Sequence, residues 1–395
     1  MDNRRSRFAL DALSFFIADV QTGFGPFIAV YLATSGWSDG EIGRALSVGS
    51  LAALVSQLPG GALVDRLADK RIAAAAACLV VGGAALLFAL SSSSLSVIGA
   101  EVAHSFGSAM LGPAVAAVSL AVVGRVGLGS RLGRNARFAA IGNGAAAALL
   151  GAAGTWLSPR AVFWLTAGFM LPGLVALRQI DPLDESEAAK TAVSRGWGLA
   201  GAWTDLRALL RRPAVLGFAG CVTLFHFGNA ALLPLASAHL AQSFGAATNL
   251  AVAGAVLVPQ AVVALISPAV GRAADRRGPR IVLAIGFAAV PLRALMLALV
   301  SSPAPFIAVQ ALDGLGAAAF GTVVPLVAAD LTRGTNSFNL CLGLLGVATG
   351  IGASLSTALG GALAERYGSG TAFLALAACG GGAVIAAYLA APGRR

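Results

Sequence analysis

Twelve apolar runs follow one another along this chain, separated by short polar turns. They fall near residues 8–33, 42–64, 72–91, 95–123, 137–157 and 161–178. After a polar stretch come 213–240, 248–271, 281–300, 304–328, 338–363 and 370–391. About 20 mostly apolar residues suffice for a helix to cross a bilayer, so each run predicts one span. The first is too long for a signal-peptide core and is read as a retained span. Composition agrees with this reading. The 395 residues are 57% hydrophobic and 11% charged, against roughly 45–50% and about 25% in an ordinary soluble domain. No soluble core of this size could hide so much apolar surface, and the 50 glycines suit helices that pack closely in lipid. The expected fold class is an all-α membrane protein of twelve transmembrane helices.

A net charge of +10 does not point to nucleic acid, because the basic residues form no face and gather instead in the turns between runs. An even number of spans puts both termini on one side, and basic residues mark the cytoplasmic side. With cytoplasmic termini, all but Arg44, Arg160, Arg293 and Arg366 of the 27 Lys and Arg fall in cytoplasmic segments. The polar stretch 179–212 divides the chain into an N-terminal six-helix bundle, 1–178, a linker, and a C-terminal six-helix bundle, 213–395. Within the linker, Trp203, Leu206, Leu209 and Leu210 share one helical face with Arg207, Arg211 and Arg212 nearby, which predicts a short amphipathic helix on the membrane surface.

The two halves repeat. The turn after the second span carries Gly61-x-x-x-Asp65-Arg66 followed by Lys70 and Arg71. The turn after the eighth carries Gly271-x-x-x-Asp275-Arg276 followed by Arg277 and Arg280, 210 positions later. Pro26 and Pro234, Gln21 and Asn229, Gly107 and Gly316, and Gly112 and Gly321 recur at nearly the same offset. These paired loops resemble the Gly-x-x-x-Asp-Arg-x-Gly-Arg-Arg loop of the major facilitator superfamily, and the resemblance spans essentially the whole chain. The first copy departs from it at Ala68-Asp69. The run Gln310 to Gly316 is similar to that family's span-four motif, but it sits in span ten with Asp313 where an arginine is common. The resemblance implies two pseudo-symmetric six-helix bundles, with spans one, four, seven and ten around a central cavity that opens alternately to each side. It also implies that Gly61, Asp65, Arg66 and Arg71, with Gly271, Asp275, Arg276 and Arg280, form gating loops whose contacts hold the outward-open state.

Ionisable groups within spans are costly and mark function by default. The candidates are Asp19 in span one, Glu101 and His104 in span four, His226 in span seven and Asp313 in span ten. Polar residues pair at i, i+3 on one helical face in three of these spans: Glu101 with His104, His226 with Asn229, and Gln310 with Asp313. Asp19, with Gln21 beside it, lies mid-span, where desolvation favours a neutral carboxyl able to load and release a proton. Glu101 lies nearer the end of its span, where a solvated vestibule position fits equally well. Arg293, beside Pro291 in a peripheral span, is expected to pair with an acid or snorkel.

The absences are informative too. The sequence has no phosphate-cradling Gly-x-x-x-x-Gly-Lys-Ser/Thr loop, no zinc spacing and no nucleophile–base pair, so neither an ATP-driven pump nor an enzyme is expected, and no cofactor or metal. The four cysteines, Cys78, Cys221, Cys341 and Cys379, are isolated in apolar segments. The function expected is proton-coupled transport of a small organic solute by a monomer in the lipid bilayer. Export in the manner of a drug/proton antiporter leads. Symport of an organic anion or metal chelate is the alternative, and a non-transporting membrane receptor is the alternative of another class. The Ala, Gly and Arg bias with almost no Lys points to a bacterial inner membrane.

Overall fold

The computed structural model describes residues 4–18, 28, 31–181, 199–237, 247–300 and 302–392. Among them every regular element is a helix: α1 (Arg4–Phe16), α2 (Asp39–Arg66), α3 (Lys70–Leu90), α4 (Ser94–Val123), α5 (Leu128–Trp156), α6 (Ala161–Arg178), α7 (Leu199–Leu210), α8 (Pro213–Asn229), α9 (Ala247–Arg277), α10 (Pro279–Leu297), α11 (Pro303–Val309), α12 (Ala311–Leu331), α13 (Phe338–Tyr367) and α14 (Ser369–Ala390). Eleven stretches of the described residues are long and apolar enough to cross a membrane. The remaining expected span, 8–33, holds α1, but Asp19 and Gln21 lie outside the described residues.

The helices begin where the sequence supplies caps. Ser38 and Glu41 form a reciprocal capping box at the start of α2, which satisfies two of the backbone donors that a helix start leaves open. Asp69 caps α3 by accepting from the Arg71 amide, and Ser93 caps α4. Pro279 opens α10 directly after Gly278 (φ 87°). At the other end of α2, Lys70 Nζ donates to the carbonyls of Val64, Asp65 and Leu67 at 2.8, 2.9 and 2.6 Å, closing acceptors that the helix end leaves orphaned. Asp69 lies in the turn itself. Partial burial acts to raise its carboxyl, but hydrogen bonds from the Arg71 side chain and amide outweigh this and hold it below the usual carboxylate range.

The chain's contacts group into two units. The first comprises residues 1–125, 138–206 and 334–344, and the second 126–137, 207–333 and 345–395. In the first, α2 and α3 pack on α4, α3 on α6, and α1 on α6; in the second, α9 and α10 pack on α12, α10 on α14, and α8 on α14. The pairing scheme is the same in both. Alanine and small aliphatic side chains fill the first unit's main core, around Leu10, Ala77, Val81, Leu111 and Ala114. A second cluster stacks Phe88 on Phe163 at 5.1 Å and sets Tyr31 edge-on to Phe163 at 5.0 Å. Large aliphatics face outward: Leu265 is 78% and Leu389 73% exposed. Water would reject such a surface, and lipid accepts it. In α7 the expected apolar face is split, with Leu209 buried and Trp203 and Leu210 exposed.

Candidate functional site

Among the described residues, a polar site within the spans lies in the second unit, where α8, α10 and the junction of α11 with α12 meet. Gln310, with helical dihedrals (φ −66°, ψ −13°), joins α11 to α12 in the tenth span. Its side chain, fully buried, lies one turn before Asp313. Arg293 of α10 reaches both. Its Nε and Nη2 donate to Gln310 Oε1 at 3.0 and 2.5 Å. Its Nη1 donates to Asp313 Oδ1 at 2.6 Å and to Asn229 Oδ1 at 2.8 Å. Asn229 Nδ2 donates in turn to Asp313 Oδ1 at 3.2 Å, and Gln310 Nε2 to the Phe306 carbonyl at 3.2 Å. The network is closed around a guanidinium only 1% exposed. Asp313 keeps a quarter of its side chain exposed, and no described residue bonds its Oδ2.

His226, one turn before Asn229 on α8, packs its ring on Phe320 of α12 at 4.6 Å. Beside it Phe225 stacks on Phe287 at 4.0 Å and on Phe320 at 5.3 Å. His226 Nε2 is buried and has no partner among the described residues. The second unit thus brings together four of the residues read from sequence, His226, Asn229, Gln310 and Asp313. It adds Arg293, which pairs with an acid as the sequence led us to expect. The available signal was depth: Arg293 lies well inside its span, away from the basic turns.

In the first unit, Glu101 and His104 lie on α4. Glu101 is 6% exposed and is buried rather than solvated. Its carboxyl abuts Gly49 of α2, where an added methyl group would collide with Oε2. One turn on, Ser105 Oγ donates to the Gly49 carbonyl at 2.9 Å. His104 Nε2 lies 3.3 Å from Ser108 Oγ.

The gating residues meet helix ends. Asp65, buried at the end of α2, accepts from the backbone amides of Asn339 (2.9 Å) and Leu340 (2.7 Å) and from Asn339 Nδ2 (2.7 Å), at the start of α13. Asp275, at the end of α9, accepts from the amides of Gly129 (2.9 Å) and Ser130 (2.7 Å) and from the Ser130 hydroxyl (2.5 Å), at the start of α5. Each donor pair sits 210 positions from its counterpart, as the acids do. A carboxylate at a helix N-terminus satisfies open donors and meets the positive end of the dipole. The glycines make the approach possible. A methyl group on Gly61 would strike the Asn339 carbonyl, and one on Gly271 the Gly129 carbonyl. The arginines do other work. The Arg66 guanidinium lies over Gly201 of α7. Arg71 pairs with Asp69 at 2.6 Å and donates to the Ile180 carbonyl at 2.7 Å. Arg280 donates to the Ala391 carbonyl at 2.9 Å, and Arg276 is exposed. The backbone partners Gly129, Ser130, Asn339 and Leu340 were not singled out from sequence; the 210-residue offset was the one signal linking them.

Comparison with known proteins agrees with the repeat and the helix arrangement. Residues 10–226 and 218–395 match the Major Facilitator Superfamily. The chain is 34% identical over 393 residues to an uncharacterised MFS-type transporter of Mycobacterium tuberculosis H37Rv, covering 97% of this chain and 92% of that one. The same figures hold for the protein of strain CDC 1551. In fold it is similar to the E. coli fucose:proton symporter (TM-score 0.80, 13% identity, 99% of this chain and 100% of that one). It is likewise similar to the human organic anion transporter MFSD10 (TM-score 0.74, 15% identity, 98% and 100%). The chain belongs to the Major Facilitator Superfamily and is a multi-pass membrane transporter rather than an enzyme.

Proposed function

We propose that this transporter couples proton movement to the passage of a small organic anion by alternating access, with Asp313 and Arg293 as the coupled pair. The observation carrying this reading is the closed contact of a buried guanidinium with Asp313, Asn229 and Gln310. An arginine in a protein does not give up its proton, and a buried charge left without its partner is strongly destabilising. Empty, the pair is neutral. A proton on Asp313 removes Arg293's counter-charge, and an anionic solute restores it, so proton and anion favour one another's binding. A cationic solute on Asp313 would set two positive charges against one carboxylate, which argues against a cationic cargo for the drug/proton-antiporter-like export that the sequence favours. Asn229 and Gln310 hold the guanidinium in place, and His226 and Phe320 offer an adjoining aromatic wall.

The contacts of Asp65 and Asp275 act in this scheme as latches that part and re-form during the cycle. Both termini are read as cytoplasmic from the distribution of basic residues, and a bacterial inner membrane from the Ala, Gly and Arg bias with almost no Lys.

The test is thermal stabilisation of the purified protein by organic anions, lipophilic cations, sugars and metal chelates at two pH values. The expected result is an anion whose stabilisation grows as pH falls and vanishes in the charge-neutral variant Arg293→Ala/Asp313→Ala. Stabilisation by cations alone, growing with pH, would overturn the anion reading in favour of export.

A further inference from the structure

Among its described residues, the first unit contains a buried acid with no counter-charge beside it. Glu101 is 6% exposed, its Oε1 has no partner among the described residues, and its Oε2 rests against the backbone of Gly49. A carboxylate in that setting would be an isolated charge in an apolar interior, the arrangement proteins avoid by pairing or by neutralising the group.

The repeat supplies the comparison. Gln310 occupies the matching position in the second half, 209 residues later. There a permanently neutral amide of the same shape is fully buried and accepts from Arg293. The position matching Arg293 in the first half is Gly83, which offers no cation. At these matching positions the first unit therefore keeps a carboxyl and has glycine in place of the guanidinium.

The ionisable groups around Glu101 do not replace that guanidinium. On its own helix His104 lies one turn away beside Ser108. On α2, Glu41 and Arg44 are exposed. Asp65 and Arg66 lie 16 and 17 residues beyond Gly49, roughly 24 Å along the helix. On α3, Lys70 and Arg71 are engaged at the far end, and Cys78 is buried in the core. Arg4, Arg5, Arg7 and Asp11 are carried by α1.

We propose that Glu101 is a proton-binding group distinct from Asp313, neutral in the arrangement seen here and held so by close packing on Gly49 with no cation beside it among the described residues. It binds one proton as a carboxylate and releases it when α2 and α4 separate enough to admit water or a cation. This deepens the proton-coupled reading above, but it rests on its own geometry.

The direct test is infrared spectroscopy of the full chain in lipid nanodiscs. At neutral pH, where an ordinary glutamic acid (pKa about 4.3) is ionised, wild type should show a protonated-carboxyl C=O band that shifts in D₂O. The band should be absent from Glu101→Gln and retained in Asp313→Asn. Glu101→Gln places on α4 the side chain that the other half already uses, and an unchanged melting temperature would confirm its fold. Identical spectra for wild type and Glu101→Gln at neutral pH would overturn the proposal whatever the solute is. So would full pH-gradient-driven accumulation by Glu101→Gln in proteoliposomes. Failure of every organic anion to bind, with the band present, would sink the substrate reading and leave this assignment standing.

Discussion

Arg293 and Asp313 show how a charge is kept inside a membrane protein. The guanidinium spends its donors on two amide oxygens and one carboxylate, so desolvation is offset group by group. Removing one partner should therefore be worse than removing both. Asp313→Ala alone leaves a buried lone guanidinium and is expected to cost about 3–5 kcal/mol; Arg293→Ala leaves a quarter-exposed carboxyl and should cost less, and the double variant should recover most of the larger loss. Denaturation of the three variants in detergent checks the order; a double variant less stable than either single change would show that the network, not the charge, dominates. Sequence alone placed Asp313, Gln310 and Asn229 on helical faces, because i, i+3 spacing is readable from residue numbers. It did not show Arg293 joining them, since that depends on how α10 is rotated against α8 and α12. Sequence named Glu101 but did not show its burial, because the carboxyl rests against Gly49 opposite, a position with no side chain to announce itself.

At the scale of elements, helix ends carry the repeat into atomic detail. Asp65 and Asp275 each cap the start of a helix far away in sequence, through backbone donors that any residue but proline could supply, so residue identity gave little warning of the partners. The two caps are not equal. Asp65 is buried, and Asp275 is exposed. A charge at a helix terminus contributes about 0.3–1 kcal/mol when exposed and up to ~2 kcal/mol when partly buried. Asp65→Asn should accordingly lower thermal stability more than Asp275→Asn, and equal losses would contradict the role given to burial. The local cap at Asp69 offers a pH test. Its carboxyl is held below the ordinary value by Arg71, so its contribution is present above the unfolded-state pKa and is lost as pH falls through the folded one. Asp69→Ala should cost about 1 kcal/mol at neutral pH, and the gap to wild type should close in acid. A gap that widened in acid would reverse the sign of that argument.

For the whole molecule, span length, the Gly-x-x-x-Asp-Arg repeat and the asymmetry of basic residues made the architecture readable, because lipid imposes length and topology more strictly than water does. The orientation they imply can be checked with a membrane-impermeant thiol reagent on intact cells. Cysteine at Gly36 should react from outside, and cysteine at Gly334 only after permeabilisation; the opposite pattern would invert the topology. The solute is harder to read, because it depends on a few side chains converging across helices. The charge balance of Arg293 and Asp313 is the feature that narrows it to an anion. The most direct measurement is accumulation of a binding organic anion in proteoliposomes under an imposed pH gradient, with the membrane potential clamped, for wild type and Arg293→Ala/Asp313→Ala. The account predicts that wild type concentrates the anion in the direction of proton flow and that the folded double variant does not. Equal accumulation by both proteins, or movement only of cations against the proton gradient, would contradict it.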